Sequence, residues 1–95
     1  MAPGTGGGSV KPTIGRFVHY TLTEQDAAAV NQPFRAGNRA STGDVYPMLI
    51  CRVWGDTPES SVNGQVFLDG ADTLWVTSRS VGEGPGHWVW PVIPR

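Results

Sequence analysis

The sequence lacks a pair of cysteines, a long apolar run and the pattern of a secretory signal. Cys51 is the only cysteine among 95 residues, so no disulfide can form within the chain, and a reducing compartment is the simpler interpretation. No apolar stretch reaches the roughly 18 residues that a membrane helix requires. The first residues also lack the charged and apolar regions of a secretory signal. We therefore expect neither secretion nor membrane insertion.

The sequence also has almost no excess of positive or negative charge. Seven Lys and Arg residues stand against eight Asp and Glu residues, giving a net charge of -1. The basic residues are scattered along the chain, so a phosphate backbone would feel little long-range attraction, and the composition disfavours nucleic acid as a partner. The hydrophobic fraction of 39% is nevertheless enough for one compact domain in water.

The chain divides into a flexible start and one domain. Residues 1–13 are rich in Gly and Pro and have almost no apolar content, so burial cannot offset the entropy cost of ordering them. We interpret them as an arm that orders only against a neighbour, or as a plain disordered end. Residues 14–95 form the predicted domain, with a long surface loop over residues 32–44.

The first part of the domain predicts a strand followed by a short helix. Val18, Tyr20 and Leu22 alternate with Phe17, His19 and Thr21, which is the period of a β-strand. Thr23 and Asp26 then form an approximate capping box at the start of an alanine-rich segment. We expect this helix to end near Asn31.

Four further segments have strand character. In VYPMLICRVW we assign Leu49, Cys51 and Val53 to the buried face, so Cys51 should be structural and unreactive. SVNGQVFLDG and the strand after Asp69-Gly70 predict a hairpin, with a bulge or bend near Gly64. HWVWP predicts a short last strand.

Five short strands joined by turns favour an all-β fold. We predict a small five-stranded SH3-like barrel with one short helix and a flexible Gly-rich N-terminal arm. An OB-like barrel is the alternative, disfavoured because the predicted helix lies between the first two strands.

No residue pattern indicates catalysis or a cofactor. Cys51, His19 and His87 lie far apart without paired metal-ligand spacing, so we expect no metal site. The serines lie in no nucleophile elbow, and the Gly-rich runs lack the strand-to-helix context of a phosphate loop. A small enzyme or nucleotide-binding protein with a site shared across an oligomer is the least favoured alternative.

Tryptophan is the residue with the clearest functional content. Four tryptophans occur in this short chain, and tryptophan is enriched at the centres of protein interfaces. Alternation places Trp54 and Trp75 outward, each beside an arginine; Trp88 and Trp90 either join the contact surface or close the barrel. The candidate interface residues are Arg52, Trp54, Trp75, Arg79, Trp88 and Trp90.

The segments PTIGRFVHYTLTEQDAAAVN, GDVYPMLICRVW and VNGQVFLDGADTLWVTSRSVGEGPGHWVWP resemble a group of small proteins encoded by bacteriophages of actinobacteria. The resemblance covers nearly everything from Pro12 to Pro91 and implies a phage context, with no catalytic residues to transfer. Together with the near-neutral charge, the lack of catalytic motifs, the abundant tryptophan and the flexible arm, this context leads us to expect a non-enzymatic structural or accessory protein, such as a minor capsid or decoration protein, located in the virion or the host cytoplasm. Its partners would be capsid subunits or other copies of itself. The alternative is a host-directed adaptor that holds a peptide or nucleic acid in an SH3-like groove.

Overall fold

The computed structural model describes residues 10–32 and 39–92. It is mostly β, and the predicted five strands with one helix between the first two are confirmed. Most of the predicted arm and the centre of the 32–44 loop lie outside the described residues. The elements are β1 (Phe17–Thr21), α1 (Glu24–Val30), β2 (Val45–Val53), β3 (Val62–Phe67), β4 (Thr73–Arg79) and β5 (Trp88–Val89).

The five strands form one antiparallel sheet in the order β4-β3-β2-β1-β5. In this order β4 and β5 are the two edge strands, so the strand pairing is that of an open sheet. The chain just beyond β4 nevertheless reaches β5, because Val81 forms an isolated bridge with Trp88. In the same region, Trp88 donates its backbone N–H to the carbonyl of Ser80 at 3.3 Å.

The inner face of the sheet is defined by the side chains that the domain buries. On β1, Val18 and Tyr20 are fully buried and Phe17 and His19 are exposed, which confirms the predicted alternation. Leu22 follows on the same buried side. Hydrophobic side chains on one face of a strand must be covered, and here they join one core with Ala27 and Val30 of α1.

The capping box at the start of α1 is also confirmed. The Thr23 side chain accepts the Asp26 N–H at 3.0 Å, and Asp26 Oδ2 accepts the Thr23 N–H at 3.0 Å. These two bonds satisfy donors that a helix start otherwise leaves unpaired. The helix ends with Asn31 as its C-cap, as predicted.

The prediction for β2 was wrong about which face is buried. Met48 and Ile50 are fully buried, whereas Leu49 is only partly buried and Cys51 is exposed. A β-bulge between Ile50 and Arg52 adds one residue opposite β3 and shifts the alternation. Val53, beyond the bulge, therefore packs against the core although Leu49 does not.

The predicted hairpin of β3 and β4 is confirmed, and one face of β3 belongs to the core. Val62, Val66 and Leu68 are buried there together with Gly64. Gly64 is needed because a Cβ at this position would lie 2.9 Å from the Leu49 carbonyl oxygen. The strands β2 and β3 thus approach at a point where a side chain would collide.

A second bulge interrupts β4. Val76 pairs with Gly64 and Arg79 pairs with Val62, so two residues of β4 oppose Asn63 alone. Ser78 within this bulge has a positive φ of 57°, a left-handed conformation that is uncommon for residues other than glycine. The extra residue turns Arg79 to the inner face, beside Val62.

Candidate binding surface

The outer face of the sheet consists of the strand side chains opposite the core. One row of residues crosses four strands: Phe17 pairs with Leu49, Leu49 with Gln65, and Gln65 with Trp75. Directly opposed residues in antiparallel strands are side-chain neighbours. The row therefore places an aromatic ring at each end and a partly buried leucine near its middle.

Phe67 lies beside this row, two residues after Gln65 on β3. Its ring centroid lies 5.8 Å from that of Phe17, a separation typical of favourable aromatic pairs. Phe17 is 51% exposed, Phe67 39% and Trp75 50%, so the sheet does not cover these rings. We call Phe17, Leu49, Phe67 and Trp75 the aromatic patch.

A second exposed aromatic group lies near the end of β2. The Arg52 guanidinium lies 4.0 Å from the centroid of the Trp54 ring, within the range of a cation–π interaction. Trp54 Nε1 also donates a hydrogen bond of 2.9 Å to Asn63 Oδ1. We call this pair the Arg52–Trp54 stack.

Asn63 fixes the Arg52–Trp54 stack to the bulge in β4. Its Oδ1 accepts both Trp54 Nε1 and the backbone N–H of Ser78, each at 2.9 Å. Asn63 is itself buried, and a buried amide oxygen with two donors is satisfied. Trp54 is thus held in one orientation although it is 54% exposed.

The outward placement of Trp54 and Trp75 agrees with the sequence-based prediction, but the two residues belong to different parts of the face. Trp75 is level with Gln65, whereas Trp54 follows Val53, which is level with Val62. The outward residue Asn63 lies between these two levels on β3. The structure therefore defines two separate aromatic groups on one face.

The strands carry very little charge. None of the eight Asp and Glu residues, all of which lie in the described part of the chain, belongs to a strand. The two charged strand residues are Arg52 and Arg79, and Arg79 faces inward. The outer face of the strands therefore carries no carboxylate and only one arginine, near the end of β2.

Arg79 was predicted on the outer face, and this placement was wrong. Its guanidinium lies 3.8 Å from Asp26 Oδ1 and 5.8 Å from the centroid of the Tyr20 ring. The bulge at Ser78 is the cause, because one extra residue reverses the face of every residue after it. Arg79 thus belongs to an inner polar cluster.

The centre of that cluster is a hydrogen bond between two buried side chains. Tyr20 donates its hydroxyl to Asp26 Oδ2 at 2.5 Å. Burial and then this hydrogen bond raise the pKa of Tyr20 well above its ordinary value of 10.0, while the nearby Arg79 charge opposes the shift. The cluster fixes α1 against β1 and is not part of the outer face.

Trp88 and Trp90 are also not on the outer face. Trp88 is fully buried and donates Nε1 to the Arg79 carbonyl at 3.1 Å. Trp90 is partly buried and packs edge-on against Trp88, with centroids 5.2 Å apart. Of the two roles considered for Trp88, a place in the contact surface is wrong and a place inside the fold is correct, because Trp88 is a core residue.

Sequence reasoning missed Phe17 and Phe67 as surface candidates. Both alternate with buried residues, Phe17 with Val18 and Phe67 with Val66. The signal was therefore present in the period of two. Tryptophan content alone does not identify these two phenylalanines, although they face outward as Trp75 does.

The residues considered for metal binding do not converge. Within residues 10–32 and 39–92, no three His, Cys, Asp or Glu side chains are grouped so that they could hold a metal ion. His87 instead has its Nδ1 3.1 Å from the Ser80 carbonyl oxygen. In the same part of the chain, no helix has the length and apolar character needed to cross a bilayer.

Comparisons of the chain with protein-family models, with curated proteins and with solved structures gave no match.

Proposed function

We propose that this protein is a non-enzymatic assembly protein that docks onto other subunits through the outer face of its sheet. The observation that carries the proposal is the exposure of Trp54 and Trp75 on a face whose strands contain no carboxylate. Large exposed aromatic side chains with adjacent arginine are typical of interface centres, where charged residues other than Arg are depleted.

The Arg52–Trp54 stack suits the docking role because it is ordered before any partner arrives. Binding normally costs roughly 0.5–1.5 kcal/mol for each flexible side chain that it immobilises. The bond from Trp54 Nε1 to Asn63 and the contact with Arg52 already restrict this side chain. A partner would therefore gain the contact area of Trp54 with little further loss of entropy.

We further propose that the sheet belongs to the small SH3-like barrels. The contacts between the chain after β4 and β5 support this proposal, since they join the two edges of the strand order at one point. These are the Val81–Trp88 bridge and the bond from Trp88 Nε1 to the Arg79 carbonyl. In a partly closed barrel, edges that approach each other in this way protect their unpaired backbone groups.

The biological setting that we propose is a bacteriophage. The resemblance of residues 12–91 to small phage-encoded proteins supports this setting alone. The exposed tryptophans support a structural or accessory role, with the protein associated with the capsid as a minor or decoration component. The virion is the proposed location, and the partners are capsid subunits or further copies of the chain. The net charge of -1 supports protein contacts over electrostatic binding to DNA.

Mass spectrometry of purified virions tests this proposal. We expect the protein in intact particles at high copy number, and a Trp54→Ala variant to be incorporated at least about tenfold less, as for the loss of an interface anchor. Absence of the wild-type protein from purified particles would overturn the virion assignment. Soluble Trp54→Ala protein with an unchanged fold serves as the control for misfolding.

A host-directed adaptor is the second candidate. The exposed rings of Phe17, Phe67 and Trp75 also suit two other ligands. An extended peptide can dock against exposed aromatic side chains, and the bases of an unpaired nucleic-acid strand can stack on them. A pull-down from host lysate distinguishes the two. One host protein recovered in stoichiometric amount, together with absence from virions, would favour the adaptor.

A further inference from the structure

We propose that the aromatic patch is a self-association surface, on which two copies of the chain pack face to face about a two-fold axis. This inference rests on the proposed function in one respect, because both use the outer face of the sheet. It goes further by assigning the occupant of one part of that face. The Arg52–Trp54 stack remains the part available to other subunits.

The apolar area of the patch is sufficient for a dimer. Phe17, Phe67 and Trp75 are each between 39% and 51% exposed, so each ring offers on the order of 100 Å². Leu49, Pro47 and the exposed Val45 extend this surface to on the order of 500 Å² per copy, near the largest apolar patch usual on a monomer. With the polar residues around it, the pair would bury about 1,600 Å², the size of a standard specific interface.

The shape of the patch also suits a second sheet. The row from Phe17 through Leu49 and Gln65 to Trp75 crosses four neighbouring strands. Sheets that pack face to face keep their strands within about 30° of each other and interdigitate such rows. A two-fold axis makes this contact self-complementary. If a residue of one copy contacts a second residue in the partner, then that second residue of the first copy contacts the first residue of the partner.

The charges at the two ends of the outer face select one orientation. Arg52 lies near the end of β2, where the following loop also carries Asp56, paired with Lys11, and Glu59, while Arg16 precedes β1 at the same end. At the opposite end of the sheet, Asp44 immediately precedes β2 and Asp69 follows β3, which leaves that end the more acidic. If the strands of the two copies run in opposite directions, each Arg52 lies toward the acidic end of its partner. The other orientation would bring like ends together. The net charge of -1 adds little repulsion between copies.

Sedimentation equilibrium of the purified full chain, from about 1 µM to about 300 µM, tests the dimer. We expect a reversible monomer–dimer equilibrium in this range. Trp75→Thr should raise the dissociation constant at least about tenfold, because an interface centre tolerates truncation poorly. Trp54→Thr is the matched control: the same residue type, 54% exposed against 50% for Trp75, on the same face but outside the patch. It should change the dissociation constant less than about threefold.

Phe17→Thr provides a second patch variant in case Trp75→Thr does not fold, and circular dichroism melts show which variants keep the fold. A wild-type protein that stays monomeric throughout would overturn the proposal, as would a Trp54→Thr variant that dissociates as readily as Trp75→Thr. Quenching of tryptophan fluorescence by a dT oligomer in a monomeric protein, retained in Trp54→Thr and lost in Trp75→Thr, would assign the patch to single-stranded nucleic acid and likewise overturn it. A monomer found in virions contradicts only this inference, whereas a dimer missing from virions contradicts only the proposed function.

Discussion

The hydroxyl of Tyr20 and the carboxylate of Asp26 form a buried hydrogen bond of 2.5 Å between β1 and α1. The same carboxylate oxygen caps the helix through the Thr23 N–H. A helix of seven residues is too short to be stable alone. Its position therefore depends on this contact and on the burial of Ala27 and Val30.

Stability at alkaline pH should depend on Tyr20. Its pKa is raised in the folded state above the ordinary 10.0, so folding favours the protonated phenol. The contribution is fully present below about pH 10 and is lost as the pH rises above it, because only the unfolded state then releases the proton. We expect the free energy of unfolding, measured with urea between about pH 7 and 11, to fall at the alkaline end.

Tyr20→Phe should lower the free energy of unfolding at neutral pH by about 1–2 kcal/mol, because Asp26 loses a donor, and should flatten the alkaline fall. Tyr46→Phe is the matched control, since it leaves the Tyr20–Asp26 bond intact. An alkaline fall that persists unchanged in Tyr20→Phe would show that another group causes it.

The thiol of Cys51 should react readily in the native protein. Cys51 is exposed on β2, and its Sγ has only a weak contact of 3.4 Å with the Leu49 carbonyl oxygen. Cys51→Ala should change stability by less than about 0.5 kcal/mol, as at other exposed sites. Met48→Ala, on the buried face of the same strand, should cost about 2–5 kcal/mol. Labelling with a bulky thiol reagent under native conditions checks the exposure, and slow labelling would restore the buried assignment.

Gly64→Ala should be markedly destabilising. The new Cβ would lie 2.5 Å from Met48 Cγ and 2.9 Å from the Leu49 carbonyl oxygen, and backbone cannot move aside cheaply. We expect a loss of about 1–3 kcal/mol in urea unfolding. Gly55→Ala is the control, because its Cβ would meet only the Ser60 side chain. Equal losses at both positions would contradict the close approach of β2 and β3.

Asn63→Ala should release Trp54 and weaken the bulge in β4 together. The substitution leaves Trp54 Nε1 and the Ser78 N–H without their common acceptor, at a cost of about 2 kcal/mol. The Trp54 indole N–H resonance, observed by NMR, should move and broaden. Gln65→Ala, on the same face of β3, should leave that resonance in place. An unmoved resonance in Asn63→Ala would show that Arg52 alone orients the ring.

The strand and helix assignments could be predicted from the sequence where one pattern was clear. In β1 the buried residues Val18 and Tyr20 alternate with exposed ones, and Thr23 with Asp26 marked the start of the helix. In β2 both faces carry apolar side chains, so alternation alone could not choose between Met48 with Ile50 and Leu49 with Cys51. Burial by the rest of the fold decided it.

The candidate surface was predicted only in part, because two bulges change the phase of the strands. Trp54 and Trp75 are exposed as expected, yet Arg79 turns inward after the bulge at Ser78. Bulges arise from the pairing of one strand with another, so the sequence of β4 alone does not predict the bulge at Ser78. Trp88 was ambiguous for a related reason, since its burial depends on how β5 meets the chain after β4.

The bulge in β2 also determines where this domain can change in length. Cys51 is the extra residue between Ile50, which pairs with Gly64, and Arg52, which pairs with Asn63. Deleting it would restore regular alternation while Ile50 stays inside and Trp54 stays outside. A deletion one residue earlier would instead remove a core side chain. Natural variants that are shorter in β2 should therefore lose the residue at position 51 first.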